Sequence, residues 1–126
     1  DTGISDIVTA TLQSMAYQTR DLLNAMLSDG IDSRLIRVDG GMVANNWMVQ
    51  YLADILQITV DRPKVTETTA LGAAYLAGLH TGVFSSLSDL ADNWQLERRF
   101  EPEMDTATST ERYQGWLDAV GRIRSH

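Results

Sequence analysis

Val38-Asp39-Gly40-Gly41-Met42-Val43-Ala44-Asn45-Asn46 is the stretch whose residue types and order could do chemistry. It lies where a short apolar run, Leu35-Ile36-Arg37-Val38, ends and a helical pattern begins. That pattern continues through Met48, Tyr51, Leu52, Ile55 and Leu56 at helical spacing. A strand that turns through two glycines into a helix lets backbone approach a bound molecule closely. It also aims free N–H groups and the positive end of the helix dipole outward, which suits a phosphate or a nucleotide edge. Asn45 follows the glycines by about one helical turn, so its amide can reach the same spot and both donate and accept. A plainer reading stands beside this one. Strand-to-helix turns carry glycine for tightness alone, and Asn opening a helix is an ordinary cap. A lone Gly-Gly does not separate the two.

Other candidate groups offer less. His80 and His126 are the only histidines, and cysteine is absent. One histidine falls near a predicted helix end and the other is the last residue. A His-based metal site or a Ser-His-Asp triad therefore has little to build on, and no metal ligand is assigned in this chain. Asp54 and Asp61 read as surface or turn carboxylates, and Glu97, Glu101, Glu103 and Asp105 as a solvated acidic stretch. Trp47 and Trp116 fall on helical stripes and read as packing residues, whereas Trp94 lies in a loop-like stretch.

Composition narrows the partners. At 126 residues and 44% hydrophobic content, the chain can hold one domain with a real core. A formal charge of −7 argues against a nucleic-acid surface or an anionic membrane. The lack of cysteine rules out a disulfide framework and a thiolate metal site, and fits a cytoplasmic protein. No stretch approaches transmembrane length, and the first residues lack the pattern of a signal peptide. The absence of an initiator Met suggests a processed, truncated or engineered chain.

The elements that must position the glycine turn follow from periodicity. Ser5 to Ser28 reads as a long helix with an apolar stripe (Val8, Leu12, Met15, Thr19, Leu22, Leu23, Met26, Leu27), stopped by Asp29-Gly30. Residues 34–38 read as a buried strand, 45–56 as a helix, and 58–60 as a second strand ended by Asp61-Arg62-Pro63. A helix rich in Ala and Gly (Ala70, Gly72, Ala73, Ala74, Ala77, Gly78) is expected to be central to packing. Ser86 to Asp92 suggests a short helix and Glu97 to Phe100 an extended piece. Residues 109–124 form a final helix with Tyr113, Trp116, Leu117, Val120 and Ile123 inward. The order is α-β-α-β-α plus trailing helices, which implies parallel strands covered by helices. Two short strands make a poor sheet, so the pattern reads as part of a larger α/β domain.

Longer runs carry a resemblance. Residues 37–56 from Arg37-Val38-Asp39-Gly40-Gly41 onward, the run Arg62-Pro63-Lys64-Val65-Thr66-Glu67-Thr68-Thr69-Ala70-Leu71-Gly72-Ala73-Ala74, and the early Ser14-Met15-Ala16-Tyr17-Gln18-Thr19-Arg20-Asp21 all resemble the FGGY carbohydrate kinases. The tail agrees in Phe100-Glu101-Pro102-Glu103-Met104, Arg112-Tyr113 and Gly115-Trp116. The Asp-Gly-Gly-x-x-Ala-Asn-Asn form looks like the branch that phosphorylates glycerol. The resemblance implies an α/β fold of the actin-like, ribonuclease-H-like ATPase type, with residues 1–126 a single C-terminal fragment of the kinase's C-terminal domain.

For function, the resemblance implies transfer of the ATP γ-phosphate to glycerol, giving glycerol 3-phosphate, with ATP/ADP and Mg²⁺ used by the parent enzyme. It implies nucleotide contacts at Gly41 and Asn45, with Gly40 a weaker candidate, and an adenosine wall along Met42 to Ala44. Thr66 to Thr69 could approach the same site. Asp39 then shapes the turn rather than acting as base or Mg²⁺ ligand, and Glu67 anchors the next turn. No catalytic residue is assigned here, because the family's catalytic aspartate, glycerol pocket and phosphate loops lie upstream; the isolated chain is expected to be inactive. Two alternatives stay open: another FGGY sugar or polyol kinase, and a non-catalytic association module. The second follows from a parallel edge and apolar helix faces left uncovered, surfaces that favour homo-oligomers.

Overall fold

The computed structural model describes residues 1–124; Ser125 and His126, the second histidine, lie outside the described residues. Helix α1 spans Ile4–Ser28. Its first turn is held by Asp6, whose Oδ2 accepts from the Gly3 N–H at 2.8 Å. At its end Gly30 turns into the left-handed region (φ 87°) and the Ile31 N–H reaches the Met26 carbonyl at 2.9 Å. Strand β1 is Leu35–Arg37, followed by a short 3-10 helix over Gly41–Ala44 and helix α2 over Asn46–Leu56. Strand β2 (Thr59–Pro63), helices α3 (Thr68–Thr81) and α4 (Leu87–Ala91), strand β3 (Leu96–Phe100) and helix α5 (Thr106–Arg124) complete the order. Among the described residues no helix is long and apolar enough to cross a membrane.

The three strands lie in the order β1-β2-β3. β1 and β2 are parallel, as the alternation implied, with Ile36 opposite Val60 and Arg37 opposite Asp61. β3 is antiparallel to β2 and places Phe100 opposite Val60 and Arg99 opposite Asp61. Alternation along the strands sends Ile36, Val60 and Phe100 to one face and Arg37, Asp61 and Arg99 to the other. The first face meets α2, the buried centre of the chain. Met48, Val49, Tyr51, Leu52, Ala53, Ile55 and Leu56 are all buried there with Ala16, Val43, Val60 and Phe100. A helix apolar on nearly every side must be covered on nearly every side.

Polar ties close the layer of helices. Arg20 on α1 donates Nη1 to the Ile55 carbonyl at 3.1 Å and to Ser109 Oγ on α5 at 3.1 Å. Ser109 is fully buried and donates in turn to the Ile55 carbonyl at 3.1 Å. One cationic side chain thus joins three helices through two buried groups that also bond each other.

Several expectations are corrected. β2 runs through Asp61-Arg62-Pro63 instead of stopping before them, because both charges find partners across the sheet: Asp61 with Arg99 and Arg62 with Glu97. Pro63 is tolerated at the strand end, beside an irregularity in the β2–β3 register. β1 is mostly exposed rather than buried. The small-residue helix α3 is not central: Ala70, Ala73, Ala74 and Ala77 are exposed, and Gly78 alone is buried, under the Phe84 ring. On α5, which starts at Thr106, Tyr113 and Trp116 turn inward but Ile123 is 78% exposed. Trp47 is 47% exposed and lies stacked on the Tyr51 ring, so it covers the core from outside.

Candidate functional site

The chain leaves β1 at Val38, whose N–H still bonds the Asp61 carbonyl at 3.1 Å. At Gly40 the backbone takes φ 92° and ψ 165°, a region closed to residues with a side chain. That conformation lets the Gly40 N–H reach the Thr66 carbonyl at 2.8 Å, and its own carbonyl accepts from Val43 N–H at 3.2 Å. The Asp39 carboxylate accepts from the Thr68 hydroxyl. Two bonds therefore tie the turn after β1 to the turn after β2. Asp39 shapes the turn, as expected, and Thr66 to Thr69 lie beside it. Glu67, by contrast, makes no side-chain cap bond; the anchor at this point is Thr68.

Gly41 differs from Gly40. Its φ lies outside the left-handed region, and a Cβ built on it meets nothing within 4 Å. Among the described residues no backbone carbonyl takes the N–H groups of Gly41 or Met42. Backbone geometry thus explains the first glycine and not the second.

Asn45 caps α2: its Oδ1 accepts from the Met48 N–H at 3.2 Å. The residue is exposed, so the plain capping role and an amide nitrogen free to donate coexist at one position. Of the three residues between the glycines and Asn45, Val43 points into the core while Met42 is 47% exposed. Gly40, Gly41 and Asn45 come together at the carboxyl ends of two parallel strands, where ligands of open α/β sheets are bound.

The turn rests on a side chain that the sequence reading passed over. Arg62 is buried, donates Nη1 to the Val43 carbonyl at 2.7 Å and Nε to Glu97 Oε2 at 2.7 Å. Glu97 stays exposed, as expected, but is paired, and the Arg62 guanidinium holds its carboxyl below the usual range. Asp54 and Asp61, by contrast, are not surface carboxylates. Asp54 receives backbone N–H groups from Glu103 and Met104, and Asp61 is gripped by both Nε and Nη2 of Arg99. That fork pulls the Asp61 carboxyl below its ordinary value despite its burial. For Asp61 the detectable signal is a base, Arg99, at the matching position of the facing strand, legible only once β3 is known to pair with β2.

Two hollows flank the turn. One of about 600 Å³ lies between α3, α4 and the ends of β1 and β2, lined by Arg37, Lys64, Leu71, Tyr75 and Trp94 among others. Neither Gly40, Gly41 nor Asn45 lines it. The other, about 430 Å³, separates α1 from β1 and includes Val38, Asp39 and Met42. Among the described residues no three His, Cys, Asp or Glu side chains converge as a metal site would require.

A small sheet with helices α1, α2 and α5 against one face, and a glycine turn at its carboxyl end, fits the actin-like, ribonuclease-H-like ATPase domains. Residues 1–81 match the C-terminal domain of the FGGY family of carbohydrate kinases, and the chain belongs to that family. It is 59% identical over 125 residues to glycerol kinase 1 of Pseudomonas aeruginosa, covering 99% of this chain and 25% of that protein. To the glycerol kinase of Geobacillus kaustophilus it is 56% identical over 114 residues, 90% of this chain and 23% of that one. The chain thus spans about a quarter of the length of the curated relatives it matches. Among solved structures, Plasmodium falciparum glycerol kinase with ADP superposes with a TM-score of 0.78 at 33% identity, over 97% of this chain and 25% of that one. Xylulose kinase from Rhodospirillum rubrum shares the fold at 17% identity and a TM-score of 0.76, over 99% of this chain and 26% of that one.

Proposed function

We propose that residues 1–126 form one C-terminal part of the nucleotide-side domain of a glycerol kinase. The whole protein transfers the γ-phosphate of ATP to glycerol, giving glycerol 3-phosphate, and this chain supplies part of the wall for adenosine. The observation that carries the site reading is at Gly41: the space where a side chain would stand is open, although the backbone there accepts any residue. A bound molecule approaching the backbone accounts for glycine where the fold does not. Asn45 then offers its amide nitrogen to an acceptor on the base, while its oxygen stays on the α2 cap. Gly40 sets the path of the turn.

In this reaction a glycerol hydroxyl attacks the γ-phosphorus in line as the bond to the departing ADP breaks, and positioned donors stabilise the charge on the phosphoryl oxygens; Mg²⁺, when bound, would supply further neutralisation of that charge. The residues of this chain bind and orient. Asp39 is held by Thr68, Asp54 by backbone N–H groups and Asp61 by Arg99, so none is poised to take the hydroxyl proton. The base and the Mg²⁺ ligands are assigned to the rest of the protein, and the isolated chain is assigned no activity. The cytoplasm, where ATP is held, is the compartment this reading assigns.

Glycerol is favoured over other polyols by identities of 33–59% to proteins named glycerol kinase, against 17–18% to the xylulose and gluconate kinases. An assay of the whole protein with ATP and glycerol, xylulose or gluconate tests this. Glycerol as the preferred acceptor is expected; preference for either sugar substrate overturns the assignment. The association reading rests on the uncovered edge of β1 and on Leu22 and Leu27, which are 60% and 56% exposed. Light scattering on the whole protein separates a homo-oligomer from a monomer.

A further inference from the structure

We infer that Arg62 is a positioning residue for nucleotide binding, and that Glu97 on β3 holds it in place. The inference rests on the reading of Gly41 and Asn45 as nucleotide contacts. Arg62 sits on β2, yet its guanidinium leaves the sheet and ends on the Val43 carbonyl at 2.7 Å, in the middle of the turn between those two contacts. Its Nε is fixed by Glu97 Oε2 at 2.7 Å, and the guanidinium carbon lies 5.2 Å from the centre of the Phe100 ring. Three constraints leave the planar group one orientation. The carbonyl it grips belongs to a 3-10 segment of four residues, too short to hold its own shape.

The pair spans two strands and a turn. Arg62 cannot shift without releasing either Val43 or Glu97, and among the described residues no other side chain donates to the Val43 carbonyl. Glu97 is 44% exposed, so its contact with Arg62, rather than burial of its own, explains a carboxylate placed there. Burying a guanidinium is costly and is offset here by charge-assisted hydrogen bonds at both ends. Lysine cannot do the same, because a single ammonium does not present two donors in a fixed fork.

The test is steady-state kinetics of the whole protein with ATP and glycerol. Arg62→Lys keeps the charge but holds only one of the two partners. It is expected to raise the KM for ATP about three- to tenfold, the equivalent of one hydrogen bond lost from the turn, with kcat and the KM for glycerol within about twofold. Glu97→Ala, compared only after its melting curve shows a folded protein, moves the KM for ATP the same way, and Glu97→Gln, which keeps an acceptor for Nε, moves it back toward the starting value. A merely structural role lowers the active fraction, and so kcat, while the KM for ATP stays put; that result overturns the inference. Asn45→Ala serves as the reference. If it raises the KM for ATP and neither Arg62→Lys nor Glu97→Ala does, Arg62 is not a positioning residue and the nucleotide site stands. If Asn45→Ala has no effect, the site reading fails and the inference falls with it.

Discussion

The Asp54 carboxylate, on α2, accepts the backbone N–H of Glu103 at 2.7 Å, joining residues that lie on opposite sides of α3, α4 and β3 in the chain. The same oxygen accepts from Met104 N–H at 3.2 Å and from Gln50 Nε2 at 3.1 Å. One buried oxygen thus fastens the segment between β3 and α5 onto the central helix. Asp54→Ala leaves two N–H groups without this acceptor and is expected to cost about 2–4 kcal/mol, measured by urea denaturation. Amide exchange at Glu103 and Met104 should accelerate more than exchange in α2.

The two cross-strand ion pairs make stability sensitive to acid. The hydrogen bonds from Arg99 hold Asp61 below its ordinary 3.8, and the one from Arg62 holds Glu97 below its ordinary 4.5. A carboxylate whose value is lower in the folded state contributes stability that is complete above its unfolded value. That contribution disappears as pH falls through the lowered one. Thermal melts should therefore be flat above about pH 5 and decline steeply below it. Asp61→Asn should lower the plateau and flatten the acid limb; an unchanged acid limb would show that Asp61 does not contribute to it.

The two glycines of the turn should respond in opposite directions. Gly40→Ala forces a methyl-bearing residue into φ 92°, ψ 165°, at an expected cost of about 1–3 kcal/mol. At Gly41 the added methyl meets nothing and φ is permissive, so Gly41→Ala should stabilise by about 0.4–1 kcal/mol through the unfolded chain. Paired denaturation curves decide. Equal losses at both positions would contradict the distinction.

On α3, a Cβ at Gly78 would stand 2.6 and 2.8 Å from two carbons of the Phe84 ring. Gly78→Ala is expected to destabilise by about 1–3 kcal/mol. Removing the obstructing ring should relieve the clash, so the Gly78→Ala, Phe84→Ala pair should cost clearly less than the sum of the single changes. Additive losses would mean that the ring moves aside freely.

Much of this was legible before the structure, and the reasons it stopped are physical. Helical periodicity identified α1, α2 and α5 because each keeps at least one apolar stripe, and Asp29-Gly30 marked the end of α1. The turn at Gly40, Gly41 and Asn45 was visible from residue type alone. Periodicity could not tell which stripes would be covered. No residue of the α1 stripe is buried, the single buried residue of that helix being Ala16 beside it, and the small residues of α3 face outward. Burial of Asp54, Asp61 and Arg62 escaped notice because a charge reads as surface until its partner is known, and each partner lies in or just after β3. Propensity ended β2 at Val60; pairing with Arg98 and Arg99 extends it to Pro63.

The central claim is that a nucleotide lies against the open side of Gly41, and calorimetric titration of the whole protein with ADP tests it most directly. Gly41→Leu places a side chain in the space where a Cβ meets nothing within 4 Å. The account predicts a melting temperature close to the parent's and ADP binding weakened about tenfold or more, the equivalent of about 1.4 kcal/mol. A folded Gly41→Leu protein that binds ADP as tightly as the parent would contradict it.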